Sequence, residues 1–194
     1  MLVVLSILSV LLILNGCGKK SAEEMSRMAD TTYAAAQKDA DSIRAFTPNI
    51  KQHFAPSLEA FEKLVTEYPK SPEAERALIK MAQIRMNDTR EPDLALVMYK
   101  KYVTTYPDGQ FAPLSMFMVG YIYNNEIHNN DSAKVAYQRF LDKYPQNENA
   151  AGAQFELQNI GKSPEELLPP IDEEGQGSEE VAKQPEPKAG SHKM

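Results

Sequence analysis

Side chains able to do chemistry are few in this 194-residue chain, and their spacing does not suit it. The three histidines, His53, His128 and His192, lie far apart, and none has a ligand-spaced neighbour of the kind a zinc site needs. Glu126, His128 and Asp131 form the densest titratable group. They could serve a metal or a proton transfer, but they fall where the sequence predicts a solvated turn between helices. The acid pairs Glu165-Glu166 and Glu179-Glu180 lie in a helix start and in an acidic tail, where their simpler role is solubility. No phosphate loop, dinucleotide fingerprint or zinc-metalloprotease motif occurs. The one nucleophile that draws notice is Cys17, the chain's single cysteine, so no intrachain disulfide can form. The chain reads as a non-enzyme, with no cofactor, no metal and no small-molecule substrate expected. Its formal net charge of −6 also disfavours nucleic acid as a partner.

What precedes Cys17 assigns it a different chemistry. Residues 1–17 carry no charged side chain, and 1–14 read MLVVLSILSVLLIL. As a helix these residues reach about 21 Å, short of the roughly 30 Å hydrocarbon core of a bilayer. That length suits the apolar region of a signal peptide better than a membrane span. Leu14-Asn15-Gly16-Cys17 follows, and then the polar switch to Lys19-Lys20. The plain alternative is an incidental Cys after an ordinary signal peptide or anchor. The four residues resemble the bacterial lipoprotein box, Leu-x-(Gly/Ala)-Cys. The resemblance implies cleavage after Gly16 and lipidation of Cys17, which becomes the mature N-terminus. It departs from the usual leader in having no Lys or Arg before the apolar run. Several acyl chains at about 0.8 kcal/mol per buried CH₂ make a durable membrane anchor. Gly18 is not the Asp that family rules associate with inner-membrane retention, so the resemblance implies the outer membrane, facing the periplasm.

The elements that follow are built by repetition. Tyr-Pro occurs at Tyr68-Pro69, Tyr106-Pro107 and Tyr144-Pro145, at a period of 38. Seven residues before each Tyr stands an aromatic: Phe61, Tyr99, Tyr137. Four before come Leu64, Tyr102 and Phe140, and three before come Val65, Val103 and Leu141. Offsets 0, 3, 4 and 7 trace one face of a helix, which the Pro then ends. Such reuse marks these aromatics as packing knobs. A second helix restarts after each Pro, with Ser71-Pro72-Glu73 as an N-cap. On it small residues recur at Ala74, Ala112 and Ala150 and at Ala77, Ser115 and Ala153. Large ones recur at Ile79, Phe117 and Phe155, at Met81, Val119 and Leu157, and at Ile84, Ile122 and Ile160. Polar turns are expected at Asn87–Arg90 and Asn124–Asn130, with Asp93 and Asp131 placed to cap or charge the next helix. Upstream, Ser21 to about Phe46 is a further helix with Met25, Met28, Ala29, Tyr33 and Ala36 on its face. It would pair with a helix over Pro56–Glu67 across an irregular turn at Thr47–His53.

These residues resemble the tetratricopeptide (TPR) repeat over about 55–161. Ala95-Tyr99-Pro107 and Ala133-Tyr137-Pro145 meet its grammar, Ser57-Phe61-Pro69 meets it in part, and Gly120-Tyr121-Ile122-Tyr123 supplies its Gly-x-x-Tyr. The period exceeds the usual 34 by four residues, assigned to longer turns between helices. The expected fold is all-α: a TPR-like α-solenoid of antiparallel helix pairs, with three units and a closing helix near Glu148–Ile160. The domain plan is a signal peptide at 1–16, a lipidated N-terminus and linker at 17–20, the solenoid at 21–162, and a short capping turn with a disordered acidic tail at 163–194. That tail holds eight acids against three Lys, with five of the 13 Pro and no Phe, Tyr or Trp.

The TPR resemblance implies protein partners held on a concave face lined by first helices. Carried over by position, that groove takes Arg76, Gln83 and Asn87, with Ile79 and Met86, from one unit. The next supplies Tyr121, Asn124 and Asn125, with Leu114 and Phe117. Ile79 and Phe117 read more simply as helix–helix core. The period and Tyr-Pro endings most resemble the outer-membrane β-barrel assembly lipoprotein family, D-type subunit, which implies a role in outer-membrane protein assembly. Two alternatives stay open: a TPR coordinator of the Tol–Pal envelope system, and a structural envelope lipoprotein.

Overall fold

Each Tyr-Pro pair ends a helix, as its spacing predicts. A computed structural model describes residues 19–43, 50–163 and 166. The described residues form α1 (Ala22–Ile43), α2 (Ile50–Glu67), α3 (Pro72–Gln83), α4 (Pro92–Thr105), α5 (Ala112–Tyr121), α6 (Asn130–Lys143) and α7 (Ala150–Asn159), with no strand among them. The fold is an all-α, TPR-like solenoid: α1/α2, α3/α4 and α5/α6 are successive pairs, each helix packing on the next, and α7 closes the series. This unit ends at Ile160, and a separate one starts at Gly161. The leader, Cys17 and the acidic tail beyond Glu166 lie outside the described residues. At the start of the second unit Ser163 N donates to Glu166 Oε2 at 2.7 Å, one half of the expected capping box.

Knobs and small residues pack as the sequence predicts. Phe61, Tyr99 and Tyr137 are buried, as are Leu64, Tyr102 and Phe140 one turn on. The small residues Ser57, Ala95 and Ala133, and Ala77, Ser115 and Ala153, are fully or nearly fully buried where helices approach. Helices α5 and α6 approach closely at Gly120, where a Cβ would stand 2.6 Å from the ring of Tyr137. One core runs from Met25 on α1 to Ile122 beyond α5, and a smaller one holds Tyr137, Phe140 and Ala153.

Three local expectations are corrected. Helix α2 starts at Ile50, so Gln52 and His53 belong to the helix and Pro56 stands inside it. Pro56 has no N–H to donate, but the earlier start buries Phe54 against Tyr33, ring centroids 5.9 Å apart. Burying an aromatic is worth more than one backbone hydrogen bond. Secondly, the polar stretches after α3 and α5 are not turns throughout: Ile84–Asp88 and Ile122–Glu126 continue each helix in π register. Thr89 N donates to Ile84 O and Ile127 N to Ile122 O, each at 3.0 Å. Arg90 and His128 then adopt left-handed φ of 54° and 58°, which shortens the true turn. Of the two roles expected for Asp93 and Asp131, they take the charging one in the first turns of α4 and α6, while Glu91 and Asn129 hold the N-cap positions. Finally, Met28 and Phe155, assigned to packed faces, are exposed.

Candidate functional site

The first-helix face is assembled from α3 and α5 with their π endings. Arg76 is exposed and paired to Glu73 at 3.0 Å. Gln83 and Asn87 are exposed about two and three turns further on. Tyr121 is half-buried, and Asn125 is exposed and donates to Tyr121 O at 3.2 Å. Asn124 Nδ2 donates to Glu156 Oε2 at 2.8 Å, which ties the π ending of α5 to α7. The π register sets where these amides stand, since it widens the last turn that carries Asn87, Asn124 and Asn125. Ile79 is buried, and Phe117 lies 5.8 Å from the rings of both Tyr137 and Phe140. Both are core residues, not groove.

A second first-helix contact joins α1 to α3, and the sequence did not single it out. Tyr33 donates to Asp88 Oδ2 at 3.0 Å and accepts from Gln37 Nε2 at 2.7 Å, with Lys80 Nζ 4.5 Å above its ring. Burial first, and then the bond to Asp88, push the Tyr33 hydroxyl up to about 12. It stays neutral and a hydrogen-bond donor.

The Tyr-Pro tyrosines do more than fill space. The Tyr68 hydroxyl donates to Lys20 O, Tyr106 to Pro69 O at 2.6 Å, and Tyr144 to Pro107 O at 3.4 Å. The Tyr106 and Tyr144 hydroxyls thus reach a backbone carbonyl 37 residues, about one period, upstream. Across the α3/α4 pair and the turn to α5 an additional network forms. Tyr102 donates to Glu75 Oε1, Gln110 N donates to the same oxygen at 2.9 Å, and Phe111 N donates to the Tyr102 hydroxyl at 3.0 Å. Glu91 anchors the turn before α4, accepting from Arg85 at 2.5 Å and Thr89 at 2.6 Å, with Lys51 at 3.1 Å. Burial opposes its ionisation, but the bonds from Thr89, Arg85 and Lys51 outweigh that and hold its pKa down at about 2.

The titratable group at the α5–α6 turn does not form a site. His128 Nδ1 lies 3.2 Å from Asn124 O, and Glu126 and Asp131 are exposed. No three His, Cys, Asp or Glu come together to hold a metal among the described residues.

A cavity of about 580 Å³ lies on other residues altogether. Lys100 and Val103 of α4, Met116 and Val119 of α5, and Val135 and Arg139 of α6 line it. Of its lining, Val135 is an apolar residue that stands off the core stripe and is half exposed.

Two stretches, residues 76–109 and 114–147, each match the family model of the tetratricopeptide repeat. The two stretches carry the helix pairs α3/α4 and α5/α6. The matched stretches start 38 residues apart and leave 110–113 between them. The four residues beyond 34 therefore fall in the α4–α5 turn and the start of α5. TPR units are protein-interaction scaffolds, and the face made by their first helices is where peptide partners are held. No curated protein sequence matches the chain.

Proposed function

We propose that the chain is a lipid-anchored TPR scaffold that holds partner proteins on its first-helix face in the periplasm, in the service of outer-membrane protein assembly. The carrying observation is the conjunction of the lipoprotein-type Leu14-Asn15-Gly16-Cys17 with a repeat array that starts at Ala22. Only 18–21 separate the acylated cysteine from the first helix. Gln83, Asn87, Tyr121 and Asn125 offer hydrogen bonds to a peptide backbone with little demand on its charge, which suits partners of varied sequence. Arg76 at the rim, already paired with Glu73, adds little selectivity of its own.

The test combines fractionation with co-purification. Wild-type protein should appear in outer-membrane fractions with a diacylglyceryl mass on Cys17, and Cys17→Ser should accumulate as uncleaved precursor. Membranes solubilised in mild detergent should yield β-barrel assembly components with the wild type. Recovery of Tol–Pal components instead would move the scaffold to that system. Maturation of Cys17→Ser with retention in the membrane would remove the lipid anchor from the account.

A further inference from the structure

The chain enters the array pinned to it. Ser21 caps α1, its Oγ accepting from Glu24 N at 3.1 Å. Just before it, the Tyr68 hydroxyl donates to Lys20 O. Lys19 Nζ lies 3.7 Å from Glu67 Oε2 and 4.8 Å from the centre of the Tyr68 ring. The start of α1 and the end of α2 thus hold Lys19 and Lys20 between them. Cys17 is two residues away, and two extended residues reach about 7 Å at most. An acyl group on Cys17 therefore brings this edge of the array within one Debye length of a bilayer surface, about 8 Å at physiological salt.

The surface at that edge suits such a neighbour. A cavity of about 340 Å³ opens there, lined by Lys19 and Lys20, by Met25 and Met28 of α1, and by Ala60, Lys63 and Glu67 of α2. Met25 and Met28 are one turn apart, and the three α2 residues lie within about 60° of one another round the helix. Met28 is 47% exposed. Lys20 Nζ donates to Met28 Sδ at 3.0 Å, and a thioether is a weak acceptor that a stronger one displaces. Glu67 is shared, with Lys63 Nζ 3.8 Å from its Oε1. Glu24, one turn before Met28, is the second acid on this side. Glu23, Arg27, Glu59 and Glu62 stand about 100° or more round their helices from Met28 and Ala60. Three lysines against two carboxylates leave the face cationic around an exposed methionine.

We propose that this face of the α1/α2 pair binds the headgroups of anionic phospholipids, with Lys20 and Lys63 on phosphate oxygens and Met28 at the acyl boundary. The proposal rests on the lipid-anchor reading of Cys17. A lipid phosphate gives Lys20 the strong acceptor that the thioether does not, and the charge of the face matches it. Because Lys19 and Lys20 are fixed to α1 and α2, anchor and first helix pair act as one body. The array is then held at a set attitude to the bilayer instead of swinging on a loose tether.

Cys17 is the chain's single cysteine and acylation blocks its thiol, so one added cysteine can be labelled alone. The acylated protein is prepared as Met28→Cys or as Gln52→Cys, each carrying the small apolar fluorophore bimane. Gln52 is exposed and lies about 22 Å along α2 from Glu67. Both are reconstituted in vesicles of phosphatidylethanolamine and phosphatidylglycerol that include a lipid with a nitroxide on its headgroup. Bimane at residue 28 should be quenched several-fold more strongly than at residue 52. Adding Lys20→Gln and Lys63→Gln should cut the quenching at residue 28 by about half or more, while the protein still floats with the vesicles. All of these changes are at exposed side chains, so far-UV circular dichroism should match the wild type. Equal quenching at the two positions in protein that floats overturns the proposal, and so does quenching at residue 28 that survives the loss of both lysines. Protein without a diacylglyceryl mass that stays off the vesicles fails the lipid-anchor reading instead, and the surface falls with its tether.

Discussion

Gly109→Ala should destabilise the array, and Tyr102→Phe should relieve most of that cost. A Cβ on residue 109 would stand 2.5 Å from the Tyr102 hydroxyl, 2.6 Å from Glu75 Oε1 and 3.0 Å from Tyr106 Cβ. The first two atoms are themselves bonded to each other and to Gln110 N and Phe111 N, so neither yields freely. Overpacking of this kind costs about 1–3 kcal/mol. The lower entropy of an unfolded chain with Ala in place of Gly returns about 0.4–1 kcal/mol, leaving a net loss of about 1–2 kcal/mol. Tyr102→Phe alone loses the bond to Glu75 and leaves Phe111 N without its acceptor, about 1–3 kcal/mol. In the double variant the clash with the hydroxyl is gone and Glu75 can move, so the combined loss should fall short of the sum by about 1 kcal/mol. The next unit shows the alternative at work: Phe140 occupies the place of Tyr102, and Asn147 that of Gly109. Urea unfolding of the four proteins, followed by circular dichroism, closes the cycle. Strict additivity, or a Gly109→Ala variant as stable as the wild type, would refute the idea that Gly109 exists to accommodate the Tyr102–Glu75 pair.

Two further outcomes follow from the same geometry. Glu91 has a folded pKa of about 2 against an ordinary 4.5, so its contribution is present above pH 4.5 and is lost as pH falls toward 2. Glu91→Gln should therefore be less stable at pH 7 by about 1 kcal/mol, with the gap to wild type closing between about pH 4.5 and 2 in urea titrations at each pH. A gap independent of pH would deny the ionised network its role. Tyr106→Phe should cost about 1 kcal/mol by thermal unfolding, because its hydroxyl bond to Pro69 O is short, whereas Tyr144→Phe should cost clearly less, its bond to Pro107 O being 3.4 Å. Equal losses would mean the hydroxyls do not carry the difference.

The repeat was legible because its signal is physical and redundant. A knob such as Tyr99 must recur where the next helix pair repeats the same contact, and Pro107 must stop the helix that carries it. The π endings were not legible. Asn87, Asp88 and Asn124 are types that favour turns, and only the burial of Ile84 and Ile122 beside them keeps the helix going. Pro56 misled for the same reason, since local grammar forbids what the burial of Phe54 repays. Phe155 was read as core by register alone, and it is exposed. The hydroxyl contacts of Tyr68, Tyr106 and Tyr144 join residues one unit apart, which a single-helix pattern does not encode. Of the candidate groove, Arg76, Gln83, Asn87 and Asn125 are exposed as family position implies, while Ile79 and Phe117 belong to the core.

In the proposed scaffold the first-helix face is the surface that holds protein partners. The direct measurement is partner recovery from detergent-solubilised membranes by Tyr121→Ala/Asn125→Ala beside the wild type, with far-UV circular dichroism of both. Unchanged helical content with partner recovery reduced at least about tenfold is the predicted result. Full recovery by the folded double variant would contradict it, and would place partner binding elsewhere on the array.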